Sequence, residues 1–266
     1  MRRSEPDLNF SVEFVDTPYY EPVRPLIRHF EGRRDWPTPA DYNDLSRVHG
    51  LDDVHGLCFS NVNDDGMTFE ARIAEYGEIQ CRKESWHDFF NAMTALAFPR
   101  TKLAINRLQM RDSSSLSSGR DAEQNMLAHF EECGVIVLSA NSDLTNHLRG
   151  FRWKELFWHC RKAVERDMRF LLYGHGLYAK ALRPYIGLTG HAVIVECESS
   201  ELNASIEWAD RRVSGLLEAR SAYTKPRDLS PLPLLGIPGW HSANREECFY
   251  NNTSYFRPGR RAMPSV

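Results

Sequence analysis

The chain has 266 residues, 42% hydrophobic and 26% charged, with a formal net charge of −3. That is enough apolar material for one large domain or two small ones. The mildly negative charge argues against a non-specific binder of nucleic acid or of an anionic membrane, either of which needs an excess of Lys and Arg.

No run approaches the roughly twenty apolar residues of a bilayer span, and residues 1–6 lack the apolar core of a secretory signal behind them. Cys58, Cys81, Cys133, Cys160, Cys197 and Cys248 are scattered without a C-x-x-C pair. That pattern reads as reduced thiols in a cytoplasmic protein.

Residues 1–50 are rich in Pro, Arg and aromatics and show little periodicity. Pro18, Pro22, Pro37 and Pro39 push their predecessors out of the helical region. The segment is expected to lie across the domain, held by Phe14, Tyr19, Phe30 and Trp36, with a short helix from Thr38 or Asp41 to Leu45. Residues 54–59 suit a strand. Residues 69–76 have helical spacing and stop at Gly77, a helix C-cap, and residues 78–80 lead into the next helix.

That next helix organises the sequence. Ser85 can cap the amide of Asp88, and Phe89, Phe90, Met93, Leu96 and Ala97 recur on one apolar face. His87 and Asn91 are four apart and share a neighbouring stripe, with Asp88 beside them. Imidazole, carboxylate and amide at one helix entry fit a reacting site, and they fit equally a capped, hydrogen-bonded first turn.

Pro99 must stop or kink the helix. A second piece is expected over residues 100–108, with Lys102, Asn106 and Arg107 on its polar side. Residues 111–119 read as a polar surface loop or a lid.

A helix over residues 120–133 buries Ala122, Met126, Leu127 and Phe130. Asp121, Asn125, His129 and Glu132 fall at steps of four, four and three and line one face. This polar seam is either solvated or, if turned toward the Ser85 helix, a network needing partners or metal. Residues 135–138 form an apolar strand, and residues 143–148 a short helix capped by Asn141 or Ser142.

A long amphipathic segment then runs from Phe151 to Leu172. Gly174-His175-Gly176 lets the backbone approach another group closely, and a helical piece covers residues 177–182. Residues 191–197 are the best strand and are expected to pair with the strand at Val135. Residues 201–217 form a helix. The proline-rich tail packs on the body through Phe249, Tyr250, Tyr255 and Phe256, with Pro238-Gly239 in a type II turn.

Several of these pieces match a known family. Trp86-His87-Asp88-Phe89-Phe90-Asn91-Ala92, Phe98-Pro99-Arg100-Thr101-Lys102 with Asn106, Phe130-Glu131-Glu132-Cys133-Gly134-Val135 and Gly174-His175 occur in order. Leu235-Gly236-Ile237-Pro238-Gly239-Trp240 with Asn244, Phe249-Tyr250 and Phe256-Arg257-Pro258 come after them. Over about residues 69–258 the chain resembles the bacterial domain-of-unknown-function family 3025. The resemblance implies a one-domain cytosolic bacterial protein with no assigned activity, and it adds weight to His87, Asp88, Asn91, Glu132 and His175. Glu131 stands where the family has Asp, so Glu132 is the better site candidate.

The expected fold is α+β, a predominantly helical single domain with a small sheet, and with residues 1–50 and 223–266 as extended straps packed on it. Two functions compete. In one, His87, Asp88, Asn91, Glu132 and His175 form an enzyme site between helices, with His129, Glu132 and His175 as ligands for zinc, iron or manganese and metal-activated water for hydrolysis. A metal-free version uses His87 as general base. In the other, Arg100, Lys102, Arg107 and Arg111 grip a phosphate-containing ligand, RNA or an acidic partner. No P-loop, G-x-G-x-x-G or G-x-S-x-G occurs, which disfavours the common nucleotide, dinucleotide and serine-esterase chemistries.

Overall fold

The computed structural model describes residues 10–51, 56–111 and 122–259. All but Arg111 of the expected loop at 111–119, Asp121 of the polar seam, the start of the strand at Val54 and residues 1–6 lie outside the described residues.

A four-stranded mixed sheet sits at the centre. Its strands are β3 (Gly134–Ser139), β4 (Met168–Leu172), β5 (Thr189–Glu196) and β6 (Ser230–Pro233), in the order β4-β3-β5-β6. β3 pairs parallel with β5, with Val135 opposite Ala192, and antiparallel with β4. Every residue of β3 is buried, as expected for an apolar central strand covered on both faces.

Because successive side chains point to opposite faces, the strands feed two cores. Val135, Val137, Leu172 and Ile194 join one; Ile136, Leu138, Leu171, Val193 and Val195 join the other. The second core is roofed by α5 (Pro99–Arg111), α6 (Ala122–Cys133) and α10 (Ile206–Glu218). The first is closed by α4 (Trp86–Ala97), α7 (Ser142–Arg149), a π turn (Glu155–His159), α8 (Arg161–Asp167), α9 (His175–Ala181) and both straps. The fold is α+β and mainly helical.

Ser85 Oγ accepts the Asp88 amide at 3.2 Å and starts α4. The helix is buried from Asp88 to Leu96, all the way round, so it is a central helix and not the one-faced helix expected from the sequence. The reason is the N-terminal strap. Phe10 and Trp36 pack on Trp86 at 5.3 and 4.8 Å between ring centroids, and Tyr20 stacks on Phe90 at 5.6 Å.

Phe98 is the break, and Pro99 opens α5. Asp210 of α10 caps α5 by accepting the Arg100 and Thr101 amides at 2.9 and 2.8 Å. The C-terminal strap is tied by Tyr255, whose hydroxyl donates to the Leu188 carbonyl and accepts the Leu235 amide. Tyr19 joins the two straps through a 2.7 Å bond to the Trp240 carbonyl.

Three local expectations change. Residues 78–80 belong to a strand, β2 (Glu78–Cys81), paired parallel with β1 (Cys58–Asn61) through α3 (Phe69–Tyr76), which ends at Gly77 with φ 65°. The amphipathic segment ends in β4 instead of continuing as helix, because Met168 to Leu172 is drawn into the sheet by pairing with β3. The helix expected from 201 starts at Ile206, capped by Ser205. The six cysteines are unpaired thiols, and among the described residues no helix is long and apolar enough to cross a membrane.

Candidate functional site

The first turn of α4, the last turn of α6 and the first turn of α9 meet at one point. Two backbone features allow it. The Tyr173 and Gly174 amides both donate to the Gly134 carbonyl, at 3.0 and 2.9 Å, which turns the end of β4 beside the end of α6. A Cβ on Gly174 would stand 2.4 Å from the Gly134 nitrogen, and one on Gly176 would stand 1.9 Å from Glu132 Oε1. Two residues without side chains are therefore needed for His175 to reach Glu132.

The meeting point is a cleft of about 420 Å³ lined by Arg82, His87, Asp88, Asn91, Lys102, Glu131, Glu132 and His175, with Phe69, Glu70 and Gln80 at its sides. Such a volume suits a small ligand. Glu132 Oε2 lies 3.5 Å from His87 Nε2 and 3.2 Å from His175 Nε2. The two rings stand edge to face, centroids 4.4 Å apart. The other Glu132 oxygen faces Lys180 Nζ at 3.7 Å, and Lys180 also donates to Cys133 Sγ.

On the opposite side His87 Nδ1 is 3.0 Å from Asp88 Oδ1. Asp88 is itself gripped by Arg82 through two guanidinium bonds of 2.8 and 2.7 Å and by the Arg82 amide at 2.7 Å.

These contacts set the charges. Asp88, with Glu132 next, raises the His87 imidazole to about 9 against the opposing effect of burial. Burial works to raise the Asp88 carboxyl, but Arg82 and His87 outweigh it and hold the group below its ordinary range. Hydrogen bonds from His175 and then His87 hold the Glu132 carboxyl low. His175 goes the other way: burial lowers it, with Glu132 opposing. Its Nδ1 is buried without a hydrogen-bond partner. The two imidazoles are thus pushed in opposite directions, His87 toward the cation and His175 toward the neutral ring.

One ligand atom from each of His87, Glu132 and His175 lies within 4.8 Å of the others. Ligands about 2 Å from a tetrahedral cation stand about 3.3 Å apart, and the two Glu132–imidazole separations bracket that value. Two imidazoles and a carboxylate are a ligand set suited to zinc or to non-haem iron. Without a cation, the same groups form a carboxylate–imidazole relay able to move a proton.

The cleft gathers most of the residues expected from the sequence: His87, Asp88, Asn91, Glu132 and His175 all line it. His129 does not. It is exposed and stacks on His191 with centroids 5.3 Å apart. The β3–β5 register sets Gly134 opposite His191, so the helix entering β3 leans His129 over β5, and the expected set His129, Glu132, His175 is corrected with His87 in the place of His129. Of the seam, Asn125 is exposed as well.

Lys102 and Asn106, expected on a polar face, are 2% and 4% exposed. Lys102 Nζ donates to Asn91 Oδ1 at 2.9 Å and pairs with Glu131. Burial works to raise the Glu131 carboxyl, and the Lys102 charge overcomes it and holds the group low. The basic cluster is dispersed accordingly, since Lys102 turns inward and Arg107 pairs with Glu218.

Arg82, Lys180, Glu131 and the cleft-facing role of Lys102 were not foreseen from the sequence. Only Lys102 carried a signal. It lies four residues after Phe98 and three before Ile105, on the buried stripe.

Fold and cleft together define an α+β protein with a two-histidine, one-glutamate pocket between helices. Residues 57–260 match the family described as protein of unknown function (DUF3025), and the chain belongs to that family. No curated protein and no solved structure matches it.

Proposed function

We propose that the cleft is the active site of a metal-dependent hydrolase, with His87, Glu132 and His175 holding one divalent cation. The observation that carries this reading is the convergence of two imidazole Nε2 atoms on one oxygen of Glu132, 3.5 and 3.2 Å away. Asp88 supports it, because a ligating imidazole usually gives its other N–H to a carboxylate that fixes ring and tautomer. Arg82 fixes Asp88 in turn, and Lys180 engages the Glu132 oxygen turned away from His175.

A cation so held has room for further ligands, and it would lower the pKa of a bound water and polarise a substrate carbonyl or phosphoryl oxygen. The chain's own part is to orient and to counter charge. Asn91 lines the same wall, and Lys102, held by Glu131 and Asn91, fixes that wall in place behind the site. Phe69 and Val62 give the mouth an apolar side.

The test is metal binding by the full chain after chelator treatment, with zinc, manganese and iron(II) added separately. A panel of chromogenic ester and phosphodiester substrates is then offered to the loaded protein. One equivalent should be lost in Glu132→Gln and in His175→Ala, together with any hydrolysis. Equal metal content in the wild type and both variants would sink the reading.

A further inference from the structure

α7, the π turn and the start of α8 make a corner that contributes nothing to the cleft. α7 ends at Arg149, and the chain reverses at once. The Gly150 amide donates to the Asn146 carbonyl, that of Phe151 to Leu148 and that of Arg152 to His147, at 2.9, 3.1 and 2.9 Å. The reversal puts Phe151 at φ 55°, a left-handed conformation that is disfavoured for a residue with a Cβ. The helical turn beyond it is wound wide. The Cys160 amide donates to the Glu155 carbonyl five residues back at 2.8 Å, and such π turns are rare and occur often at functional sites.

The consequence is a second meeting of ligand-type side chains. One atom each from His147, Glu155 and Cys160 lies within 4.8 Å of the others. His147 Nδ1 is buried and has no hydrogen-bond partner, an omission that is ordinarily destabilising. Asp143 precedes His147 by four residues on α7 and so shares its face, and burial first, then the charges of Glu155 and Asp143, push the Cys160 thiol up. An acid, a thiol and an imidazole with a buried, unpartnered nitrogen thus meet at one corner.

We propose that this corner binds a zinc ion through His147 Nδ1, the Cys160 thiolate and the Glu155 carboxylate, with Asp143 as fourth ligand. The thiol proton leaves to solvent as the sulfur–metal bond forms. A thiolate ligand selects against magnesium and calcium, and a set of four protein ligands is the mark of a structural rather than a catalytic zinc. Glu155 and Asp143 are exposed, so both have room to swing to the separation of about 3.5 Å that tetrahedral zinc requires. The ion would lock α7 to α8 across the strained reversal. This inference does not rest on the hydrolase reading, since the two sites share no residue.

The experiment uses the full chain, reduced and chelator-stripped, titrated with cobalt(II) as a coloured stand-in and then with zinc. The expected result is a sulfur-to-cobalt charge-transfer band that is complete by two equivalents, the cleft taking the other, and is bleached by zinc. Glu132→Gln should keep the band and Cys160→Ser should lose it. Because the cleft ligands include no sulfur, failure of the cleft site leaves the band intact, and failure of the corner leaves the cleft's equivalent intact.

A second readout needs no variant. Alkylation of Cys160, followed by mass spectrometry, should slow about tenfold with zinc at ten times its Kd. Absence of the band in the wild type, its persistence in Cys160→Ser, or an unchanged alkylation rate would each overturn the proposal.

Discussion

Glu131 and Glu132 are adjacent on the last turn of α6, yet one is closed and the other open. Glu131 turns inward to Lys102, whose side chain is 2% exposed and which also bonds Asn91. Glu132 keeps 44% of its side chain exposed and faces two imidazoles and Lys180. The closed pair ties α4, α5 and α6 to one another, since Asn91, Lys102 and Glu131 come one from each. The open acid stands on that frame, and its oxygens keep room for a further partner. A charge sealed with its counter-charge serves position; a charge left half-exposed between imidazoles can serve chemistry.

Breaking the closed pair should have the largest effect. Lys102→Ala leaves Glu131 as a carboxylate without its counter-charge beside a cavity, and removal of one member of a buried pair costs about 3–5 kcal/mol. Urea unfolding measures it. The double change Lys102→Met with Glu131→Gln should recover much of the loss, because it removes both charges together. A loss under about 1 kcal/mol for Lys102→Ala would mean that Glu131 is no more fixed than Glu132, and the contrast between them would fall.

This pair also shows how far the sequence could be read. Helix starts and stops were legible where one residue decides them: Ser85 and Asp88, Pro99, Gly77 and Asn141 all act within one turn. The apolar runs at Val135 and His191 announced strands and even their pairing. The direction of a polar side chain was not legible, because it depends on what packs from elsewhere. Lys102 looked solvated until Glu131, 29 residues away, was found beside it.

Asp88 was placed in the site, yet its holder Arg82 lies on the segment after β2, a strand hidden in only four residues. His129 and Glu132 looked like partners by spacing, and the lean of α6 over β5 separated them. The Glu132–His175 contact depends on two glycines whose meaning is a distance to another helix, which no local pattern encodes.

The open side of the comparison is sharpened by Asp88→Asn. Asp88 touches His87 and not Glu132, so the change leaves all three proposed ligands in place and removes only the anion behind one ring. Loss of such an outer partner costs about 10- to 100-fold in metal affinity, read by competition with a chromophoric chelator. Folding stability should move far less than in Lys102→Ala, since Arg82 is 64% exposed and regains water when its partner is neutralised. An unchanged affinity would show that His87 is not oriented through Asp88.

The smallest effect is expected at a third pair, which calibrates the other two. Arg33 holds both oxygens of Asp41 at 2.6 and 3.0 Å, and Asp41 also accepts the Thr38 amide and hydroxyl at the start of α2 (Pro39–Val48). Arg33, opposed by partial burial and helped by Thr38, lowers the Asp41 carboxyl from 3.8 to about 2. The folded-state value lies below the unfolded one, so the contribution is present above pH 3.8 and is lost as pH falls toward 2.

About a third of each partner is exposed, and solvent screening limits the pair to about 1 kcal/mol or less. Stability measured between pH 5 and 2 in the wild type and in Asp41→Asn should therefore converge at the acid end. The difference at pH 5 should shrink when salt is added. The Lys102→Ala loss should not shrink, because its charges are sealed from the solvent that does the screening. If both losses respond to salt alike, burial is not what distinguishes Glu131 from the charges at the surface.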